Sequence, residues 1–181
     1  MVGDYYQHSV SGKNNSGKPF TSGINYERYK QILKSYGVVI DEETLQRSRR
    51  CPKIICDFVT NKLKIHIEAQ DEAKDGSVNF ISKDDDIKSL LSNDELFKLV
   101  VKDARNFKGN FINWSYSKGD TYEKVCVIMT EDFENIDKEN FSYGGSEITK
   151  NKLYVALTRS SKELYIIKKS DFDRHKNDFQ I

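Results

Sequence analysis

Four stretches carry side chains able to handle phosphate: Arg159 in YVALTRSS, Arg50 in RSRRCPK, Lys118 in SKGDT, and the run GKNNSGKPF at residues 12–20. An arginine offers a planar, permanently charged fork that meets phosphate oxygens two at a time, and a lysine offers a compact point charge. Glycine lets backbone amides come close to an anion. The fourth stretch nearly spells GxxxxGK[ST], a loop that cradles phosphates when it follows a buried strand, opens a helix and ends in a hydroxyl for magnesium. Here Pro19 takes the hydroxyl position and supplies neither hydroxyl nor amide hydrogen. The preceding HSVS is polar and too short for a buried strand. The run therefore reads as a surface loop rich in Gly, Ser, Asn and Lys.

The arginines need elements to aim them. ITKNKLYVALTRS reads as a helix that delivers Arg159 to its end, just before the apolar strand ELYIIKK. Taken alone, Arg159 is a solvated helix-end cation, a place the helix dipole favours. Arg50 sits differently, with Arg47, Arg49 and Lys53 around the start of the helix CPKIICDFVTNKL. Positive charge opposes the dipole there and calls for an anion. Pro52 suits that helix's first turn, and Ile54, Ile55, Phe58, Val59 and Leu63 fall along one face.

Further along, INYERYKQILKSYG has Tyr29, Ile32, Leu33 and Tyr36 at helical spacing and Gly37 as a stop, with VVI after it as a short buried strand. KIHIEA, SVNFI, LFKLVVKD, NFINW and KVCVIMT read as further strands, and DDDIKSLLS as a short helix with acids at its favourable end. This alternation predicts an α/β fold, a mainly parallel sheet with helices on both faces and its ligand loops at the carboxyl ends of the strands. AQDEAKDGS and EDFENIDKENFSYGGS read as solvated, mobile loops, and DFDRHKNDFQI as a polar tail that frays or docks weakly.

The chain has 181 residues, enough for one α/β domain and cramped for two. Its net charge of +1 does not announce a nucleic-acid binder, so any phosphate contact rests on local clusters. Three cysteines without paired CxxC spacing argue against a disulfide framework and a zinc site, and fit a reducing cytoplasm. No apolar run approaches a membrane span, and MVGDYYQ lacks the features of a signal peptide.

Taken in order, four segments resemble the C-terminal motifs of superfamily 1 helicases of the UvrD/Rep type. KLYVALTRSSKELYII, in which Leu153 to Arg159 lead into an apolar strand, is similar to motif VI. INWSYSKGDTYEKVCVIM resembles motif V through Ser117, Lys118, Gly119, Thr121, Tyr122 and Val125, with Asn113 and Ser115 where Thr and His are common and Thr121 where Glu often stands. TLQRSRRCPKIICDFV resembles motif IV, with Arg50 at the arginine position and Arg49 in place of an aromatic residue. MVGDYYQHS resembles motif III through Gly3, Asp4 and Gln7.

The resemblance implies a RecA-like fold for the second helicase domain, with residues 1–25 a motif III remnant and connector, 26–170 the domain, and 171–181 a polar tail. It implies that Arg159 is an arginine finger on the γ-phosphate, that Arg50 touches the nucleotide phosphates, that Gly119 lies at the same cleft, and that Gln7 couples nucleotide to strand. Ser117, Lys118 and Gly119 would hold single-stranded DNA, with Tyr6, beside Tyr5, stacking on bases. ATP and Mg²⁺ would be bound in the complete protein by an N-terminal RecA-like domain of the same helicase, so that this fragment holds neither stably and is inactive alone. A nuclease or repair partner is compatible with the family, and a membrane is not expected. The competing class is a stand-alone nucleic-acid or protein binding module that keeps the fold without ATPase activity. On this reading Arg159→Ala in the complete protein would remove most ATP turnover and leave the fold intact.

Overall fold

Short runs of β-branched and aromatic residues pair side by side to form the centre of the molecule. The computed structural model describes residues 5–7, 24–42 and 47–181. In chain order the elements are α1 (Tyr26–Ser35), β1 (Arg47–Ser48), α2 (Lys53–Leu63), β2 (Glu68–Ala69), β3 (Ser77–Ile81), α3 (Asp84–Ser92), β4 (Phe97–Val100), β5 (Phe111–Asn113), β6 (Tyr122–Ile128), α4 (Glu147–Leu157), β7 (Ser160–Ile167) and α5 (Lys169–Phe179). Short 3-10 turns at Tyr5–Gln7 and Trp114–Ser117 matter for the site. β3, β7, β6, β4 and β5 lie side by side in that order, every pair parallel, and β1 pairs with β2 in a separate parallel ribbon. The expected α/β architecture with a parallel sheet is what the chain forms.

Parallel sheets must be covered on both faces, and alternation along the central strands shows how. Val125 and Val127 of β6 join Leu99, Leu164 and Ile166 under α2 and α4, whereas Cys126 and Ile128 join Val100 and Ile167 under α3 and α5. α2 buries Ile55, Val59 and Leu63 at a spacing of four, and α3 buries Ile87 and Leu91 in the same way. Full burial of each such aliphatic side chain contributes roughly 1.5–3 kcal/mol.

Several expectations change. The run VVI at 38–40 is not a strand: it pairs with no described strand, and Val39 is 93 % exposed. α1 forms as predicted, yet buries none of its residues. The polar tail is an ordered helix, α5, whose Phe172 packs on Phe107 and Phe111 and whose Asp171 and His175 are buried. Arg174 and His175 both reach Asp84 on α3 at 2.9 Å, so polar contacts join the packing of Phe172 and Phe179 in seating this helix. Both acidic loops are anchored. Phe133 and Ile136 are fully buried, Phe133 stacks on Tyr143 at 4.4 Å, and Gly76 lies so close to Pro52 that an added Cβ would stand 2.5 Å from its ring.

Candidate functional site

The SKG turn is built on a buried tryptophan. Trp114 is fully buried, and its indole N–H donates to the Leu99 carbonyl at 3.1 Å, fixing the start of the turn after β5. The Ser117 hydroxyl donates back to the Trp114 carbonyl at 2.8 Å, and the Asp120 amide closes the turn on the Ser117 carbonyl at 3.1 Å. Gly119 has φ +95°, a conformation that disfavours any side chain, with open space where a Cβ would stand. Lys118 and Gly119 are exposed, while Ser117 is fully buried. This corrects one expectation: the Ser117 hydroxyl is spent inside the turn and does not face a nucleic-acid strand.

Motif VI meets that turn through Arg159. α4 is capped by Ser146, whose side chain accepts from the Ile148 amide, and buries every residue from Leu153 to Leu157. Thr158 ends the helix and Arg159 follows, 1 % exposed. Its Nε donates to the Val155 carbonyl at 2.9 Å, its Nη2 to the Thr158 hydroxyl at 3.2 Å, and its Nη1 to the Ser117 and Asp120 carbonyls at 3.4 Å each. The sequence pictured this guanidinium projecting into an open cleft; here it is folded back against the SKG turn. Burial first, and then the neighbouring Arg50 charge, bring the Arg159 pKa down to about 10.

Arg50 completes the cluster from the segment between β1 and α2. Its Nε donates to the Thr121 hydroxyl at 2.7 Å and its Nη1 to the Thr158 carbonyl at 3.1 Å. Arg50 is half-buried, and among the described residues these two bonds leave three of its five N–H groups for another acceptor. The buried Cys51 thiol donates to the same Thr158 carbonyl. Its pKa is lowered, chiefly by its hydrogen bond with Cys56 and further by Ser48, Arg50 and Arg159. Neither Arg50 nor Arg159 forms a salt bridge with a described residue; the two guanidiniums lie on either side of Thr158, with the Asp120 carboxylate acting on Arg159 only at longer range. Such an arrangement favours an anion.

Thr121 immediately precedes β6 and Arg159 immediately precedes β7, so both stand at amino ends of strands, whereas Arg50 follows β1 and the SKG turn follows β5. The expectation that ligand loops gather at the carboxyl ends thus describes only part of this cluster. Among the described residues no group of three or more His, Cys, Asp or Glu side chains is placed to hold a metal ion.

A second feature adjoins the turn. A small pocket of about 30 Å³ is lined by Tyr6 and Gln7, by Ser115 and Lys118, and by Asn151 and Lys152 of α4. Gln7 is thus brought to the same place as Lys118. Tyr5 is buried in a group of rings with Tyr6, Tyr26 and Tyr29, and Tyr6 also meets Tyr154. Tyr5 is therefore unavailable to a base, and Tyr6 is half-buried. Gly3, Asp4 and the glycine-rich run at 12–20 lie outside the described residues.

The model of the viral superfamily 1 RNA helicase core domain matches residues 2–168, nearly the whole chain. The chain belongs to this superfamily 1 helicase family. Among solved structures, this helicase domain is similar to the PRRSV helicase, with 16 % identity over 76 % of this chain and a TM-score of 0.45. It is also similar to the Arterivirus nonstructural protein 10 helicase, with 16 % identity over 68 % and a TM-score of 0.43, and to that protein in complex with DNA, with 15 % identity over 68 % and a TM-score of 0.41. The helicase domain spans a quarter of the length of each of these chains, 25 % in all three. No curated protein sequence matches it.

Superfamily 1 membership agrees with the motif reading, and the matching model describes the viral RNA branch rather than UvrD/Rep. Thr121, which the sequence placed in motif V where glutamate often stands, is the acceptor that holds Arg50. Lys152 and Asn151 were passed over altogether. Their signal was weak: two polar residues in a helix whose following turn is fully buried.

Proposed function

We propose that this chain is the second RecA-like domain of an ATP-driven superfamily 1 helicase, completing from one side a nucleotide cleft whose phosphate loop and Mg²⁺ ligands belong to a preceding domain. The observation that supports it is the convergence of residues from three distant segments, Arg50, Thr121 and Thr158–Arg159, into one hydrogen-bonded cationic cluster. ATP bound there would present a γ-phosphoryl group gaining negative charge in the transition state, which guanidinium forks stabilise. Arg50 has the open donors and meets the phosphate first. Arg159 reaches it by exchanging its two long bonds, to the Ser117 and Asp120 carbonyls, for phosphate oxygens. Because those carbonyls belong to the turn that presents Lys118 and Gly119 to a strand, nucleotide state and strand grip are coupled through a single loop. Gln7 lies at the other side of Lys118 and links the motif III turn to the same movement.

The strand is single-stranded nucleic acid held by its backbone. The UvrD/Rep resemblance favours DNA; the family description favours RNA as the second reading. No described helix is long and apolar enough to cross a membrane, and the three free thiols suit a cytoplasmic protein. A binding module without ATPase activity is the rival class. In the full-length protein, Arg50→Ala is expected to lower strand-stimulated ATP turnover by about a thousandfold, while the thermal midpoint falls by only a few degrees. Turnover within a few-fold of wild type would remove Arg50 from the cleft and favour the binding module. Running the assay with oligo(dT) and oligo(U) decides the strand.

A further inference from the structure

Lys150 and Lys152 both belong to α4, but their surroundings differ. Lys150 is neutralised by Glu147 one turn away, at 2.8 Å. Lys152 makes no salt bridge to a described residue and lines the small pocket beside Lys118 and Gln7. Among the described residues that pocket is lined by two lysines and by no carboxylate, although the whole chain is nearly neutral. Lys152 is half-buried between Asn151 and Leu153, both buried, so the rigid helix rather than a loop sets its position. Lys152 meets Lys118 from within α4, and Arg159, just past the end of that helix, meets the Ser117 and Asp120 carbonyls of the same turn.

We propose that Lys152 is a further phosphate contact for single-stranded nucleic acid, continuing the track that begins at Lys118 and Gly119. The inference rests on the strand-binding reading of the SKG turn. The pocket, at about 30 Å³, has room for a water molecule or a phosphate oxygen at its mouth and none for a base or a triphosphate. The ligand class is accordingly a phosphodiester, with no reading of sequence. The strand passes from the exposed turn across the pocket, where Lys118 and Lys152 flank the backbone and Gln7 lies beneath it.

The test is binding of labelled oligo(dT) and oligo(U) to full-length protein without nucleotide, by fluorescence anisotropy over a salt series. Removing one phosphate contact lowers the slope of log affinity against log salt by about 0.7 for a single strand. Lys152→Ala is expected to lose that slope increment and to bind several-fold more weakly on both strands, whereas Lys152→Arg keeps the slope. Circular dichroism at the assay temperature confirms that each variant is folded. Wild-type affinity and slope in Lys152→Ala, with Lys118→Ala weakened, would overturn the Lys152 assignment and leave the SKG reading standing. Unchanged binding in both variants would overturn the two together. A loss confined to one strand chemistry would overturn the phosphodiester assignment.

Discussion

Arg159→Ala should unfold this domain more easily, contrary to what its position at a helix end suggests. The side chain is 1 % exposed and engages four acceptors. Truncation strips a 2.9 Å charge-assisted bond from the Val155 carbonyl, and such bonds contribute about 1.5–3 kcal/mol net. Loss of the buried alkyl stem adds about 1–2 kcal/mol. Two of the deprived carbonyls keep another donor: Ser117 retains the Asp120 amide at 3.1 Å, and Val155 retains the Thr158 hydroxyl at 3.2 Å. Relief of the repulsion from Arg50 and of the buried charge offsets part of the loss. The balance is about 2–4 kcal/mol, a large share of the roughly 5–15 kcal/mol that holds a typical domain together. For a chain of this size that lowers the thermal midpoint by roughly 5–15 °C. Differential scanning calorimetry of wild type, Arg159→Ala and Arg159→Lys measures it, with lysine expected to fall between, since it keeps the charge and loses the fork. Turnover must be compared well below the variant's midpoint, so that lost chemistry is not confused with lost fold. A midpoint for Arg159→Ala within about 2 °C of wild type would refute the view of Arg159 as the clamp on the SKG turn.

Two further outcomes follow from the scaffold. The Asp84 carboxyl is held below its usual range, first by the Arg174 hydrogen bond and then by His175; its contribution is therefore full above the unfolded aspartate pKa of about 3.9 and is lost as pH falls through the folded value. Below about pH 4 the wild-type midpoint should fall faster than that of Asp84→Asn, and parallel curves would refute the linkage. Gly76→Ala would set a Cβ 2.5 Å from the Pro52 ring and 2.9 Å from the Lys162 carbonyl. It should cost about 1–3 kcal/mol by overpacking, and an unchanged midpoint would mean that the loop over Arg50 yields freely.

Local sequence determined the elements that carry their own signal. Alternating apolar residues marked β3, β6 and β7, acids marked the start of α3, and the order of four short motifs marked a superfamily 1 helicase domain. These features are legible because period, cap and motif are properties of neighbouring residues. The remainder depended on distant ones. Arg50 finds Thr121 and Thr158 across 71 and 108 residues, and nothing near Arg50 in the chain names either partner. Burial of Ser117, Tyr5 and Arg159 is likewise set by what packs over them, so a motif that identifies a residue leaves its orientation open. α5 has few apolar residues, and the contacts that complete its seat are distant ones, Phe172 on Phe107 and Phe111 and the pair Arg174 and His175 on Asp84, more than eighty residues earlier. Val38 and Val39 carry a strand's composition without a partner edge, and a strand exists only where a neighbour completes its hydrogen bonds. Residue types decided what chemistry this domain can do; only the tertiary fold decided which donors face outward to do it.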